Sequence, residues 1–247
     1  MKKVLTENEL LQKYTKINKD KKVHIAWERL LEKNLVSESF IEKYKDEVDW
    51  NCVSSCQKLS ESFMEKFSNY INWRAIPIYQ TLSESFIEKH LDKLNWEGLA
   101  YQKLSESFID KHINELDWPD TSAFLKMPEN LIDKYKDKVE WSTICNFQKL
   151  SEDFIEKHMN YLTTYEWNNI CEHQKLSESF MEKHLDKLHW NKISAYQKLS
   201  ESFIEKYKDS VMWGLIFQYQ KLSDSFKNKM AKYIKAGKSD GSDEYFL

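Results

Sequence analysis

Any chemistry in this chain would have to come from its histidines, cysteines, carboxylates or serines. There are seven His and four Cys among 247 residues. Imidazoles and thiolates are the usual ligands of zinc. His90, His112, His158 and His184 each stand four residues after a phenylalanine in near-identical phrases, such as Phe180-Met181-Glu182-Lys183-His184. Tyr44, Phe67, Tyr135 and Tyr207 fill the same place in other phrases. An aromatic-packing position explains all eight residues, whereas a ligand position does not. Equivalent positions in successive repeats also lie too far apart to share a zinc at ~2.1 Å per bond.

Cys52 and Cys56 are one helical turn apart and could chelate a soft metal, but Cys56 takes a place that other units give to an aromatic. Together with Cys145 and Cys171 they form no CxxC pair, so reduced thiols are expected. The serines recur as helix caps, and none lies in a nucleophile elbow. The sequence has no glycine-rich phosphate loop. Carboxylates such as Glu182 and Asp186 read as a solvated face, which gives no acid–base pair. The expectation is therefore no catalytic residue, no metal, no cofactor and no enzymatic activity.

Composition narrows the class further. Only four Gly and three Pro punctuate the chain, which favours helices joined by minimal loops. The net charge is −3, and of 37 basic residues only Arg29 and Arg74 are arginine. Phosphate-gripping proteins favour the guanidinium fork, so nucleic acid is an unfavoured partner. No apolar run approaches the ~18 residues of a membrane span. The segment Met1–Glu7 lacks the apolar core of a signal peptide, so a cytoplasmic location without membrane association is expected.

What positions all these residues is a tandem repeat. Trp27, Trp50, Trp73, Trp96, Trp118, Trp141, Trp167, Trp190 and Trp213 are spaced 23, 23, 23, 22, 23, 26, 23 and 23 residues apart. Phe40, Phe63, Phe86, Phe108, Leu131, Phe154, Phe180, Phe203 and Phe226 repeat in step with them. Such regularity means a stack of like units. Each unit reads as two short helices.

Helix A begins at the Ser of Leu-Ser-Glu. Ser177 would cap it, and Leu176 and Met181 would form a hydrophobic staple. From the Phe as zero, apolar or aromatic residues at 0, +1, +4, +5 and +8 share one face. Lys at +3 and Asp at +6 are expected to pair within the helix, as in Lys43–Asp46, Lys89–Asp92 and Lys206–Asp209. Helix B begins at the Trp, with Asp49, Asn72, Asn95 and Asp117 as cap residues. An aliphatic at +3, an aromatic at +6 (Tyr79, Phe124, Phe147, Tyr196, Tyr219, with His173 in kind) and a Gln at +7 form one stripe. This stripe reads as buried. The Gln amide is expected to satisfy backbone groups in the turn or the next unit. Pro77, four residues into its helix B, predicts a broken first turn.

The fold class predicted is an all-α αα-solenoid of tandem ~23-residue two-helix repeats, with ten A helices and nine B helices. Residues 1–34 form an atypical first repeat with a polar insertion at 15–22. Residues 35–221 form eight regular helical repeats, residues 222–236 a capping helix, and residues 237–247 a flexible tail.

The outer face of helix A is monotonous, so variation elsewhere carries the functional reading. The positions +1, +2 and +5 after each Trp vary and read as outward. The candidate protein-binding residues are Asn51, Ser55, Arg74, Ile78, Glu97, Ser142, Asn146, Asn168, Asn169, Glu172, Asn191, Lys192, Leu215 and Gln218. The expected function is a non-enzymatic scaffold with a protein partner. A nucleic-acid-binding solenoid and a structural or oligomer-forming repeat are the alternatives.

Units of the form Leu-Ser-Glu-Ser-Phe-Ile-Glu-Lys, then Trp, then Tyr-Gln-Lys-Leu-Ser-Glu resemble tandem repeats in proteins of large DNA viruses and bacteriophages. The resemblance spans about residues 5–236 and carries over no activity or site residue. It implies a viral or phage factor acting in the host cytoplasm, with a host protein as partner, such as a defence protein that it inhibits.

Overall fold

A six-residue helix has little stability alone, because nucleation costs more than so few hydrogen bonds return. The A helices are of this kind, and each is held by devices written in its sequence. The serine before Glu-Ser-Phe accepts the amide of the Phe, as from Phe180 N at 3.1 Å and Phe203 N at 3.1 Å. This satisfies one of the orphan donors of the first turn. Leu176 and Met181 are both buried, as the staple requires.

The computed structural model describes residues 6–17, 23–33, 35–231 and 233. In chain order its elements are α1 (Glu7–Tyr14), β1 (Thr15–Ile17), β2 (Val23–Ile25), α2 (Trp27–Lys33), α3 (Glu38–Lys43), α4 (Trp50–Cys56), α5 (Glu61–Lys66), α6 (Ile76–Tyr79), α7 (Glu84–Lys89), α8 (Trp96–Leu99), α9 (Glu106–Lys111), α10 (Trp118–Phe124), α11 (Glu129–Lys134), α12 (Trp141–Phe147), α13 (Glu152–Lys157), α14 (Thr164–His173), α15 (Glu178–Lys183), α16 (Trp190–Tyr196), α17 (Glu201–Lys206), α18 (Trp213–Tyr219) and α19 (Asp224–Lys229). Odd-numbered helices are A helices and even-numbered ones are B helices. Among the described residues there are thus ten of the first and nine of the second. The fold is an all-α helical repeat solenoid.

Two features depart from a pure helix pair. The insertion after α1 forms an antiparallel two-stranded ribbon, with Thr15 opposite Ile25 and Ile17 opposite Val23. The A helices are also shorter than the 3.6-residue periodicity suggested. The chain leaves α geometry after the Lys and reaches the +8 position through tight turns, such as the 3₁₀ turns Met159–Tyr161 and Leu185–Lys187. The indole that follows braces this turn. Trp50 Nε1 donates to Lys45 O at 2.8 Å, and Trp213 Nε1 donates to Lys208 O at 2.9 Å.

Contacts cluster into two compact units, 1–121 and 122–247. In the first unit, the core runs from Leu10 to Phe108, and α2, α4, α6 and α8 pack in succession. In the second, it runs from Cys145 to Met230, and α12, α14, α16 and α18 pack in succession. Within each unit the Trp stacks on the Phe of the following A helix, as in Trp73–Phe86 (6.2 Å) and Trp167–Phe180 (6.2 Å). The Trp thereby anchors each repeat to the next.

Helix B starts as its cap dictates at Asp49, whose carboxylate accepts Asn51 N at 2.8 Å. Asn72 accepts Arg74 N at 3.0 Å, but no α-helix follows it directly. Asn95 makes no capping bond. Around Pro77 the first turn is broken as expected, and α6 begins only at Ile76. The expected helix stop at Gly237 and the tail 237–247 lie outside the described residues.

Candidate interaction surface

The repeated Gln is the backbone clamp between units, directed to the preceding repeat rather than the next. Gln197 Nε2 donates to Cys171 O at 2.8 Å and to Gln174 O at 2.7 Å, while its Oε1 accepts Leu176 N at 3.0 Å. Gln57, Gln80, Gln102, Gln148, Gln174 and Gln220 repeat the pattern. Leu125 takes this place in its own repeat, and Pro128, which has no N–H, takes the place of the cap serine.

Two charge ladders run along the A helices. Where a cap serine follows one repeat later, the Glu after the cap receives its amide and commonly its hydroxyl, as Glu61 does from Ser83 at 2.6 and 3.1 Å. The Lys at +3 binds the acid at +2 of the preceding repeat: Lys66–Glu42 (2.5 Å), Lys89–Glu65 (2.6 Å), Lys157–Asp133 (2.8 Å), Lys183–Glu156 (2.6 Å) and Lys206–Glu182 (2.8 Å). This corrects the expectation that Lys89 and Lys206 pair with Asp92 and Asp209 inside their own helices. Chain leaves the helix right after the Lys, so the +6 residue is not one turn above it.

The histidines behave as aromatic fillers. His90, His112, His158 and His184 are buried, and His184 lies 4.6 Å from the Phe180 ring and 5.6 Å from the Trp167 ring. Each Nε2 faces a ladder carboxylate, at 3.6 Å for His90–Glu65, 2.9 Å for His112–Glu88, 3.1 Å for His158–Asp133 and 3.1 Å for His184–Glu156. The Lys111 ammonium and His112 imidazole hold Glu88 below the usual carboxylate range, and Lys183 and His184 do the same for Glu156. Burial pushes the Cys52 and Cys145 thiols up to about 12 and Cys171 to about 11. Thiols held protonated in this way are poor nucleophiles and poor ligands. Among the described residues no group of three or more His, Cys, Asp or Glu could hold a metal ion.

The residues read as outward divide. In the first unit, Asn51, Arg74, Ile78 and Glu97 are exposed and Ser55 is half-buried. Asn51 accepts the Asn72 amide at 2.9 Å, and Ser55 donates to Asn51 O at 2.9 Å. In the second unit, Asn191 and Gln218 are exposed, and Ser142, Asn146, Asn168 and Leu215 are half-buried. Ser142 donates to Glu140 at 2.9 Å. Glu172 and Lys192 are spent on one another, at 2.5 Å. Asn169 is not an outward residue. It is buried, and its Nδ2 donates to Ser142 O on α12 at 3.1 Å. Cys52, likewise read as variable surface, is buried against Glu28 O.

The largest correction concerns the aromatic at +6, which was read as buried. Tyr79 is 60% exposed, and in the second unit Phe124 is 45% exposed, Phe147 58%, Tyr196 53% and Tyr219 52%. His173 stands in the same row and is also exposed. These rings sit on the last residues of the B helices. There the following Gln turns inward as clamp, so its neighbours must turn outward. The alternation along Tyr196, Gln197, Lys198 and Leu199 is exposed, buried, exposed, buried. Each aromatic is thus presented at the same point of successive packed helices. The signal that could have found them is the recurring Gln beside most of them: a residue committed to backbone bonds fixes which way the next side chain points.

In the first unit an open depression of about 300 Å³ is lined by Lys13, Tyr14, Ala26, Arg29 and Lys33. No helix among the described residues is long and apolar enough to cross a membrane. No family model matches the chain, and no curated protein or solved structure matches it.

Proposed function

We propose that this protein is a non-enzymatic scaffold that binds another protein through the exposed ends of its B helices. The observation that carries this reading is the aromatic row Phe124, Phe147, Tyr196 and Tyr219, each ring 45% exposed or more, one per packed repeat. Tyr and Phe in such positions are the residues that dominate protein interfaces, offering large contact area with few rotatable bonds. The scaffold reading is supported by the ladders, which commit most helix-A charges and the Gln amides to holding repeats together.

The resemblance of the repeat to those of large DNA viruses and phages extends the proposal. The partner is then a host protein, and the action is capture and inhibition, in the host cytoplasm. The flanking residues Asn191, Leu215 and Gln218 set specificity around the row.

The test is affinity capture from host extract with the full chain and with a Tyr196→Ser/Tyr219→Ser variant whose circular dichroism matches. Loss of the same captured protein is expected. Undiminished recovery by the variant would sink the reading.

A further inference from the structure

Two residues beyond each exposed aromatic of the second unit stands a lysine: Lys126, Lys149, Lys175, Lys198 and Lys221. All five are exposed. Among the described residues none of them forms an ion pair, whereas Lys157, Lys183, Lys206 and Lys229 on the A helices are each held by a carboxylate. A chain of net charge −3 therefore presents uncompensated cations in one row, beside its exposed rings.

The acids nearest this row are engaged elsewhere. The Glu129, Glu152, Glu178 and Glu201 carboxylates are turned onto the cap serines of the following repeats. Glu172 is paired with Lys192, whose ammonium lies 5.6 Å from the Tyr196 ring centre.

We infer that the occupant of this row is an extended acidic protein segment with aromatic or branched apolar side chains between its carboxylates. The inference rests on the protein-binding reading above and names the chemistry of the partner. The carboxylates meet the free lysines, and the apolar side chains meet the rings. The step fits at one adjacent ring pair. The Phe124 and Phe147 ring centres are 6.3 Å apart, and alternate residues of an extended chain repeat every ~6.6 Å. Single-stranded nucleic acid shares the negative charge and the flat groups. It is disfavoured because Arg29 and Arg74, the two arginines of the chain, both belong to the first unit, so the row offers phosphate only lysines.

The probe is a fluorescein-labelled random copolymer of Glu and Tyr, titrated into the full chain and followed by anisotropy. Binding is expected, weakening as salt is raised. Lys149→Glu/Lys198→Glu/Lys221→Glu should weaken it at least about tenfold, and so should Tyr196→Ser/Tyr219→Ser, with circular dichroism unchanged in both. Polyglutamate should bind at least about fivefold more weakly than the copolymer. The inference is overturned if the wild-type chain ignores the copolymer, if both variants bind it as well as wild type does, or if a Lys–Tyr copolymer binds equally. An oligothymidylate of about twenty nucleotides binding more tightly than the copolymer would overturn it in favour of nucleic acid. If the copolymer fails while host-protein capture still depends on Tyr196 and Tyr219, only the acidic chemistry is lost. If that dependence fails too, the protein-binding reading falls with it.

Discussion

His184 and His173 belong to adjacent helices of one unit and live in opposite worlds. His184, on the turn after α15, is buried between Trp167 and Phe180 and faces Glu156. His173, at the end of α14, is exposed in the row of rings. The lysines divide in the same way: Lys183 lies 2.6 Å from Glu156, while Lys198 has no ion pair among the described residues. The A helices and the ends of the B helices thus use similar residue types for different ends. On the A side most of the repeated charged groups find a partner one repeat away, so repetition there is explained by cohesion. On the B side the repeated aromatics stay about half exposed and the lysines two residues on form no ion pair among the described residues, so cohesion alone does not explain their repetition.

The sharpest way to break this contrast is to cut the cohesive side where it is deepest. Trp167 is 1% exposed, and Trp167→Ala should cost about 3–5 kcal/mol of unfolding free energy in denaturant titration. Trp167→Phe should cost far less. The indole N–H is buried with no hydrogen-bond partner, so its removal forfeits no bond. Equal losses for both variants would show that the site is not ring-packed as described.

Gln197→Leu comes next, at about 3 kcal/mol, because it strands the carbonyls of Cys171 and Gln174 and the amide of Leu176 in a buried turn. Leu125 occupies this place in its own repeat, so the shape of Leu is tolerated and the cost is that of unmet polar groups. Gln218→Leu, on exposed surface two residues before the next clamp, should change stability by less than about 0.5 kcal/mol. A Gln197→Leu loss no larger than this control would remove the clamp.

Acid offers a third cut. Burial pushes the His158 imidazole below its ordinary 6.5, outweighing the pull of Asp133. The folded state keeps the ring neutral while the unfolded chain takes up a proton. The stabilisation is complete above 6.5 and is lost as pH falls below 6.5 towards the folded value. Lys157 holds Asp133 below 3.8, so that contribution is present above 3.8 and is lost only at lower pH. His158→Tyr puts in the slot what Tyr135 and Tyr207 already place there. Its Tm should fall less than that of wild type between about pH 7.5 and about pH 5.5. Parallel Tm–pH curves would count against a neutral buried ring.

These effects also mark how far residues alone could be read. The Trp and Phe periods expose the helix pairs, Ser177 its cap and Pro77 its broken turn, because each acts within a few residues of itself. The aromatic histidines are legible because Tyr and Phe alternate with them. The Lys183–Glu156 ladder is not, since it joins side chains 27 residues apart through a turn that ends the helix earlier than its periodicity suggests. Nor is the exposure of Tyr196. A large ring three residues after the buried Ile193 looks like core until the inward pull of Gln197 fixes the backbone. Asn169 was misplaced for a related reason. Position +2 faces the preceding B helix in some repeats, as at Cys52 and Asn169, and a polar residue there looks outward until that packing is seen.

The ladder pairs are the first of the small effects. Lys183→Ala should lower stability by about 0.2–1 kcal/mol, and added salt should shrink the difference, because the lysine is 61% exposed and the pair is screened. A larger, salt-independent loss would mean that the ladder carries more of the cohesion than the Gln clamps.

The smallest expected stability change tests the other side of the comparison. Tyr196 and Tyr219 are 53% and 52% exposed, so replacing both by Ser removes little buried surface. The Lys192 ammonium loses its neighbouring ring but keeps Glu172 at 2.5 Å. Unfolding free energy should therefore move by less than about 0.5 kcal/mol, within the range of ordinary surface substitutions. Partner capture should nevertheless be lost. A double variant that unfolds readily would place these rings among the cohesive residues and close the gap between the two sides. One that stays folded while losing its partner separates them, because the same two side chains would then matter to binding and not to the fold.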